Sequence, residues 1–526
     1  MDGGGIELMR LGDAVADLPL RSELSLPAAD TEVTGIQHDS RRIGSGDLFV
    51  AWRGEVHDGR AFATDAIARG ASAVLSFGPP PAAPSVPWLE VDDPRGQMGP
   101  VAARLYDHPE RELLTVGVTG TNGKTTTAQL IGSCLTQAGR SAAVIGTLGR
   151  RAHVPGDGGS DTSPLSSAAS DRTTPESSDL FRMLRRAVDL GARSAAIEVS
   201  SHALDQGRLN GMRFDVAVFT NLTRDHLDYH SSMEAYYEAK RRLFSLLRSG
   251  GRAVINVDDE YGRRLALEVG NHADVWRYSA AGRSGAEVRV VRSELDLAGI
   301  RAEVEAPGLR LSLVSRLLGR FNLENLTAAV TAANVLGVPP DAIRAAVAAE
   351  KPPDGRLEPV DRGQEFPVLI DYAHTDCGLR AAIEAIRELS DRRILVVFGC
   401  GGDRDRGKRE LMGRAVGELA DLAIVTDDNP RSEDPALIHR TIVAGLGAAG
   451  GCGHEVVPDR RSAIRRAVTL AAAEPGWAVL IAGKGHETTQ TIGKRKLPFR
   501  DREEAGEALV ALSASGLPGG RKAPSR

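Results

Sequence analysis

The chain has 526 residues, 42% hydrophobic and 26% charged, with a formal net charge of −5. That length is too great for a single core and implies two to four domains, while mild acidity with both signs interspersed excludes a dedicated nucleic-acid or anionic-membrane surface. Its four cysteines lack metal spacing, no basic-then-apolar leader opens it and no apolar run approaches about 20 residues, so a soluble, cytoplasmic protein with reduced thiols is expected.

Residues 1–108 alternate short strands and helices: GDLFVAWRG and AVLSF read as strands, AFATDAIARGAS as a helix, and PPPAAPSVP as a loop before WLEVDD. The stretch HDSRRIGSGDLFVAWRGEVHDGRAF, taken alone, reads as a surface loop. From 109 to 350 the runs LLTVGV, SAAVIGT, SAAIEVS, DVAVFT and RAVINV alternate with helical patterns, which predicts a mostly parallel sheet covered on both faces. The segment GRRAHVPGDGGSDTSPLSSAASDR is too polar to build a core and reads as a mobile insertion. Three β-like runs follow (AEVRVVR, IRAEVEA, LRLSLVS), then the helix LENLTAAVTAANVLG, stopped by Gly337 and Pro339. KPPDGR reads as a hinge, beyond which VLIDYAH, RILVVFGC, DLAIVTDD, HEVVPD and AVLIAGKG alternate with four helical patterns as a second doubly wound unit. The tail SGLPGGRKAPSR reads as disordered. The fold class is therefore α/β, with boundaries expected at 108 and 350.

Chemistry concentrates first in LLTVGVTGTNGKTTT, residues 113–127. A buried strand, a glycine turn and a helix start, in that order, aim free backbone N–H groups and a positive helix end at phosphate. Gly120 and Gly123 let the backbone close around phosphate oxygens, with Thr121 and Asn122 between them. Lys124 supplies a charge for the β/γ-phosphates, and a hydroxyl of Thr125 or Thr126 can ligate Mg²⁺. Val118 stands where the general phosphate-loop pattern has its first glycine. Two neighbouring strand ends add polar clusters. EVSSHALDQGR carries Glu198, Ser200, Ser201, His202, Gln206 and Arg208, and TNLTRDHLDYH carries Asn221, Asp225, His226, Asp228 and His230. A carboxylate in an apolar strand is costly to bury without a partner, so Glu198 and His226 are candidate Mg²⁺ ligands in an ATP enzyme.

TGTNGKTTT, EVSSHAL, TNLTRDHLDYH, YYEAKRRLF, GRFNLEN, DYAHT, FGCGGDRDRGKR, TDDNPR and AGKGHE follow one another in this order. Together they resemble the Mur ligases of bacterial cell-wall synthesis, over roughly residues 30–512. The resemblance implies a three-domain architecture: an N-terminal α/β domain for the uridine nucleotide (1–108), a central P-loop-type ATPase domain (109–350) and a C-terminal Rossmann-like domain for the incoming amino acid (351–526). It implies an ADP-forming amide-bond ligase acting through an acyl phosphate, with ATP and Mg²⁺ as cofactors, small-molecule substrates only and a monomeric state. Lys240, within a helical segment, matches a lysine that is carbamylated in the family and then serves Mg²⁺ beside Glu198 and His226. Thr173, Thr174, Ser200, Gln206 and Arg208 match positions that hold the nucleotide-peptide substrate, and Ser40 matches a uridine contact. Asn322, Arg356, Asp371 and His374 match residues around the ATP. Two departures stand out: Arg172 replaces an asparagine before the two threonines, and Asp376-Cys377-Gly378 replaces Pro-Asp-Ser after DYAHT.

The family's amino-acid motif reads Asp428-Asn429-Pro430-Arg431 here, the form that goes with meso-diaminopimelate and not with lysine. Diaminopimelate is a lysine with an additional carboxylate, and a guanidinium fork binds a carboxylate bidentately. Arg404 matches a second arginine for that group, and Gly483 and Glu487 match contacts to the distal end, where Glu487 suits an ammonium. Lysine would leave Arg404 and Arg431 without an anion. The resemblance thus implies transfer of diaminopimelate to UDP-N-acetylmuramoyl-L-alanyl-D-glutamate. L-lysine or another diamino acid as the third residue, a folylpolyglutamate-type ligase and a catalytically inactive UDP-sugar-binding relative are the alternatives.

Overall fold

The computed structural model describes residues 8–514 apart from 22, 55, 56, 82, 148, 157, 158, 166–171, 228 and 353, with backbone alone at 150, 153–156 and 159–162. Asp228 and the tail from residue 515 lie outside the described residues. The chain divides into two compact units, one comprising Met1–Ser293, Ala302–Leu313 and Phe321–Ala349, the other Glu294–Arg301, Val314–Arg320 and Glu350–Arg526.

Among the described residues the first unit holds two larger sheets and a two-stranded pair, Met9–Arg10 with Glu32–Val33. Strands Gly35–Gln37, Asp47–Ala51, Ala73–Ser76 and Trp88–Glu90 form a small parallel sheet in chain order. The strand read at GDLFVAWRG is Asp47–Ala51 of that sheet, and HDSRRIGS before it is a loop with one 3₁₀ turn, Ser40–Arg42. Helix Pro94–Leu105 follows, started by Asp93, whose side chain accepts from the Gly96 amide at 2.9 Å. It packs on helix Ser177–Asp189, and one continuous apolar core, from Leu11 through Met98 and Phe181 to Ile255, runs across residue 108.

The central sheet explains the position of the glycine loop. Strand Leu114–Thr119 is flanked by two parallel partners, Ser194–Glu198 on one side and Phe214–Phe219 on the other. The loop after it therefore lies between the loops that follow its neighbours, the crevice in which α/β sheets bind ligands. Beyond Ser194–Glu198 the order continues through Ala142–Gly146 to Gly149–Gly156 and Gly159–Pro164, an antiparallel hairpin. Residues 149–156 and 159–164 of the segment read as an insertion are therefore paired strand, while 157, 158 and 166–171 of it lie outside the described residues. Backbone pairing to the edge strand satisfies its N–H and C=O groups without a core of its own, and Ala152 and Leu165 are buried at its base.

In the second unit a six-stranded sheet runs Glu358–Pro359, Val368–Asp371, Trp477–Ala482, Arg393–Phe398, Leu422–Val425 and Gly453–Val456, parallel except for the first pair. Separate apolar clusters cover its two faces, one around Leu379, Ile383, Met412 and Ile442, the other around Ile464, Val468, Trp477 and Leu509. A fully buried ion pair, Arg460 with Asp501 at 2.7 Å, joins helices Arg460–Ala473 and Asp501–Ala514. The departure at 376–378 has a local answer. The Thr375 hydroxyl caps helix Asp376–Leu389 by accepting from the Gly378 amide at 3.1 Å.

Candidate active site

Gly123 adopts φ +82° at the cap of helix Lys124–Gln137, and a Cβ there would come 2.1 Å from the Asn325 Oδ1. Only glycine meets both demands. Asn325 in turn donates to Asn322 Oδ1 at 3.1 Å, so helix Arg320–Val335 buttresses the loop. Lys124 Nζ folds back onto the carbonyls of Gly120 and Thr121, at 2.9 and 2.8 Å. Helix Met233–Arg241, capped by the Ser232 hydroxyl, brings a second amine to the same place: Lys240 Nζ donates to the Gly120 carbonyl at 2.7 Å. Burial and the neighbouring Lys124 push Lys240 well below the ordinary lysine range, and burial lowers Lys124 as well.

Glu198 is 2% exposed at the end of its strand. Its Oε2 accepts from the Thr125 hydroxyl at 2.9 Å and its Oε1 from the Thr147 amide at 2.9 Å. Burial raises it above the usual carboxylate range against those bonds. Hard oxygen donors from a carboxylate and a hydroxyl at a phosphate loop form a donor set that fits Mg²⁺, which keeps several waters and needs few protein ligands. His226, at φ +52°, rests edge-on against His202 (4.9 Å between centroids) and against Tyr236 (6.1 Å). Tyr236 links the group: its hydroxyl lies 3.3 Å from Thr121 Oγ1 and Lys240 Nζ sits 4.4 Å from its ring centroid. Asn221 Oδ1 accepts from the Asn122 amide at 2.9 Å, while Thr126 lies half-buried in the first helical turn.

A second cluster centres on Glu176, 2% exposed and ringed by three guanidiniums: Arg95 at 2.6 Å, Arg208 at 3.1 Å and Arg172. Burial raises Glu176, but Arg208 and Arg95 outweigh it and hold it below its ordinary value. Burial likewise pulls Arg208 down to about 10. Gln206 Oε1 accepts from Arg95 at 2.8 Å and from Arg208 at 2.5 Å, so three arginines meet one carboxylate and one amide with cationic charge in excess. Thr174 Oγ1 donates to the Glu198 carbonyl at 2.8 Å and accepts from the Ser200 amide at 3.0 Å, tying this cluster to the strand that carries Glu198. Thr173 Oγ1 accepts from the Thr147 hydroxyl at 3.0 Å. Arg95, Gln206 and Asn210 also line a cavity of about 490 Å³. Ser40 opens a short 3₁₀ turn after His38, whose ring stacks on Trp52 at 5.6 Å.

In the second unit, Asp371 spends both oxygens on backbone, accepting from the amides of Leu357 and Ala373 at 2.8 Å each. It therefore shapes the turns on which Arg356 and His374 stand, while those two side chains lie exposed around Tyr372, at 5.9 and 4.6 Å from its ring. Three further loops follow parallel strand ends. Arg431 occupies the left-handed region at φ +51°, strain that two backbone bonds offset: its N–H donates to Thr491 O at 3.1 Å and its carbonyl accepts from Gly493 at 2.7 Å. A Cβ on Gly401 would lie 2.9 Å from Arg431 Nη1 and 4.0 Å from Arg404 Cγ, so both arginines flank that glycine. Arg431 Nη1 donates to Gly402 O at 2.6 Å, Arg404 Nη1 to Asp403 O at 3.3 Å, and among the described residues neither has a carboxylate partner. Gly483, at φ +115°, lies against Asp428, where a Cβ would meet Oδ2 at 2.7 Å. Asn429 Nδ2 bridges Asp428 Oδ1 (3.1 Å) and Glu487 Oε2 (2.9 Å), and a Cβ on Gly402 would strike the Pro430 carbonyl at 2.0 Å.

Models of three Mur ligase domains match the chain in order: the Mur ligase family, catalytic domain at 32–106, the Mur ligase middle domain at 118–333, and the Mur ligase, glutamate ligase domain at 355–485. The UDP-N-acetylmuramoyl-L-alanyl-D-glutamate--2,6-diaminopimelate ligase of Geobacter metallireducens is 44% identical over 92% of this chain and 96% of its own length. The chain belongs to the Mur ligase family. The ligase of the same name from Streptomyces coelicolor is 44% identical over 94% of this chain and 96% of its own. A solved structure of a ligase of that name superposes with TM-score 0.74 at 33% identity, covering 96% of this chain and 99% of the other. This Mur ligase is thus an ATP-dependent amide-bond ligase of peptidoglycan synthesis with the three-domain architecture of its family. Among the described residues no helix is long and apolar enough to cross a membrane.

Sequence reasoning missed four participants of this Mur ligase site. Glu176 and Arg95 look like ordinary surface charges, because their pairing spans 81 residues. Tyr236 could have been found from its place four residues before Lys240, one helical turn along the same face. The hairpin Thr489–Ile492 with Arg495–Pro498, which pins Arg431, is marked only by the turn glycine Gly493.

Proposed function

We propose that this Mur ligase joins meso-2,6-diaminopimelate to UDP-N-acetylmuramoyl-L-alanyl-D-glutamate in the cytoplasm, as a monomer, with Mg²⁺ and with release of ADP and phosphate. The observation that carries the choice of amino acid is the pair Arg404 and Arg431 about Gly401, without carboxylate partners among the described residues, in the same unit as the Asp428–Asn429–Glu487 group. One end offers guanidinium forks to a carboxylate and the other offers carboxylates to an ammonium. The names of the Geobacter and Streptomyces relatives support the same substrate.

The D-glutamate side-chain carboxylate takes the terminal phosphoryl group of ATP, and the diaminopimelate amine then attacks the carbonyl carbon, loses a proton and expels phosphate. Lys124, the Gly123 amide and the N–H groups that open helix Lys124–Gln137 bind the phosphate oxygens and neutralise charge that develops in transfer, in a loop whose Thr121 and Asn122 amides are held by Asn221. Thr125, Glu198, His226 and a carbamylated Lys240 would hold Mg²⁺, which supplies further neutralisation there. A carbamate needs an uncharged amine, which is the form that burial favours at Lys240. Asn322 serves the nucleotide of ATP, as do Arg356 and His374, which stand on turns that Asp371 shapes. Ser40, Thr173, Thr174, Ser200, Gln206 and Arg208 serve the UDP-linked dipeptide, and Arg172 adds a cation through Glu176. The boundaries 1–108, 109–350 and 351–526 mark the three functional domains.

The test is phosphate release with ATP and the nucleotide dipeptide, offered diaminopimelate or L-lysine. Diaminopimelate-dependent release at least about a hundredfold above lysine, the discrimination expected of a site whose polar groups are left without their partner, upholds the proposal. Equal or faster release with lysine overturns it.

A further inference from the structure

The loop after strand Trp477–Ala482 contains a lysine with no exposed surface, Lys484. Its Nζ donates to Glu487 Oε2 at 2.8 Å, to Asn429 Oδ1 at 3.2 Å and to the Thr489 carbonyl at 2.8 Å. Those bonds use all three donors of an ammonium. They also dictate what surrounds it. Asn429 Oδ1 accepts a second bond from the Thr491 amide at 2.8 Å, so its oxygen must face the lysine and its Nδ2 must face Asp428 and Glu487. Glu487 Oε2 is doubly occupied, while Oε1 accepts no hydrogen bond among the described residues. Burial raises Glu487, and the bonds from Lys484 and Asn429 outweigh it and keep it ionised.

Charge reinforces the geometry. Asp428 and Glu487 bring two carboxylates to the group and Lys484 brings one cation. Arg460 feels both carboxylates but is bonded to Asp501, at 2.8 and 2.7 Å, and Arg431 acts on Glu487 from the neighbouring loop. With Arg431 left to the carboxylate of the incoming amino acid, the two carboxylates exceed Lys484 by one charge.

We infer that Lys484 is a positioning residue for the incoming amino acid: it locks Glu487 and Asn429 so that Glu487 Oε1 faces the ligand, and it cancels one of two negative charges so that the loops accept a single ammonium. The inference rests on the reading that these loops hold a diamino acid.

Full-length Lys484→Met and Lys484→Gln are compared with wild type by steady-state kinetics, varying diaminopimelate, ATP and the nucleotide dipeptide in turn. The KM for diaminopimelate rises about thirtyfold, as for loss of a charge-assisted bond, while kcat and the other two KM values stay within about twofold. Lys484→Gln keeps a polar group in the pocket should Lys484→Met fail to fold. In a Glu487→Gln background, adding Lys484→Gln changes that KM by less than about twofold, because the carboxylate it orients is gone. A parallel loss in all substrates, an unchanged KM for diaminopimelate, or effects that multiply in the double variant each overturn the inference. Wild-type enzyme without turnover on diaminopimelate overturns the underlying reading instead.

Discussion

Lys240 offers the most demanding test of the central site. Two lysine nitrogens share the Gly120 carbonyl as acceptor, at 2.7 and 2.9 Å. They therefore lie within about 5.6 Å of each other, where two charges repel by about 3 kcal/mol at an effective dielectric constant of 20. That alone depresses the doubly charged state by more than about a hundredfold, and burial, the larger cause, adds to it. An ordinary lysine, at 10.5, is only about 0.1% neutral at pH 7.5. Lys240 is neutral to a far greater extent and so is ready to add CO₂. The sign follows directly: protonation blocks the addition, so activation by bicarbonate rises with pH and is already substantial near neutrality. Enzyme depleted of CO₂ under argon regains diaminopimelate-dependent phosphate release when ¹³C-bicarbonate is added at pH 7.5, with a carbamate signal in ¹³C spectra. Lys240→Ala shows neither signal nor activity. Wild-type turnover in Lys240→Ala, or no incorporation below pH 9, would refute both the neutral amine and its role.

Arg431→Ala raises the KM for diaminopimelate about 10- to 100-fold, as for a lost charge-assisted pair, and leaves the KM for ATP unchanged; uniform loss across substrates in the same assay argues against the contact. Glu198→Gln keeps the shape of a buried side chain and slows single-turnover phosphoryl transfer about a hundredfold or more, while its melting temperature stays within about 2 °C; an unaltered transfer rate rules out a metal or phosphate role. Arg460→Met strands a buried carboxylate and lowers stability to urea by about 3–5 kcal/mol, whereas Arg460→Met with Asp501→Leu recovers most of it; equal losses in both variants would mean that packing, not charge, governs this pair.

Much of the site could be read from order along the chain, because its parts are local. Strand, glycine turn and lysine lie within 113–127, and a carboxylate in an apolar strand announced that Glu198 needs partners, which Thr125 and Thr147 provide. Features set by distant pairing were opaque. Glu176 meets Arg95 only because helices Pro94–Leu105 and Ser177–Asp189 pack together. Residues 149–156 and 159–164 looked coreless, and they are strand through backbone pairing at a sheet edge, which composition does not report. At Asp371 the motif names a residue but not its bonds: both oxygens hold backbone amides, of Leu357 and Ala373, which the sequence does not report. Nothing local marks Lys484 as buried, because its partners Asn429 and Glu487 sit on two different loops and lysine is mostly exposed in proteins.

The residues proposed to hold the amino acid, Arg404, Asp428 to Arg431 and Gly483 to Glu487, all stand past the ends of strands whose own side chains fill two separate cores. On that proposal the scaffold and the reader of the amino acid are encoded by different stretches of chain. Selectivity can drift, or be re-engineered, by exchanging three short turns while the folding instructions stay untouched.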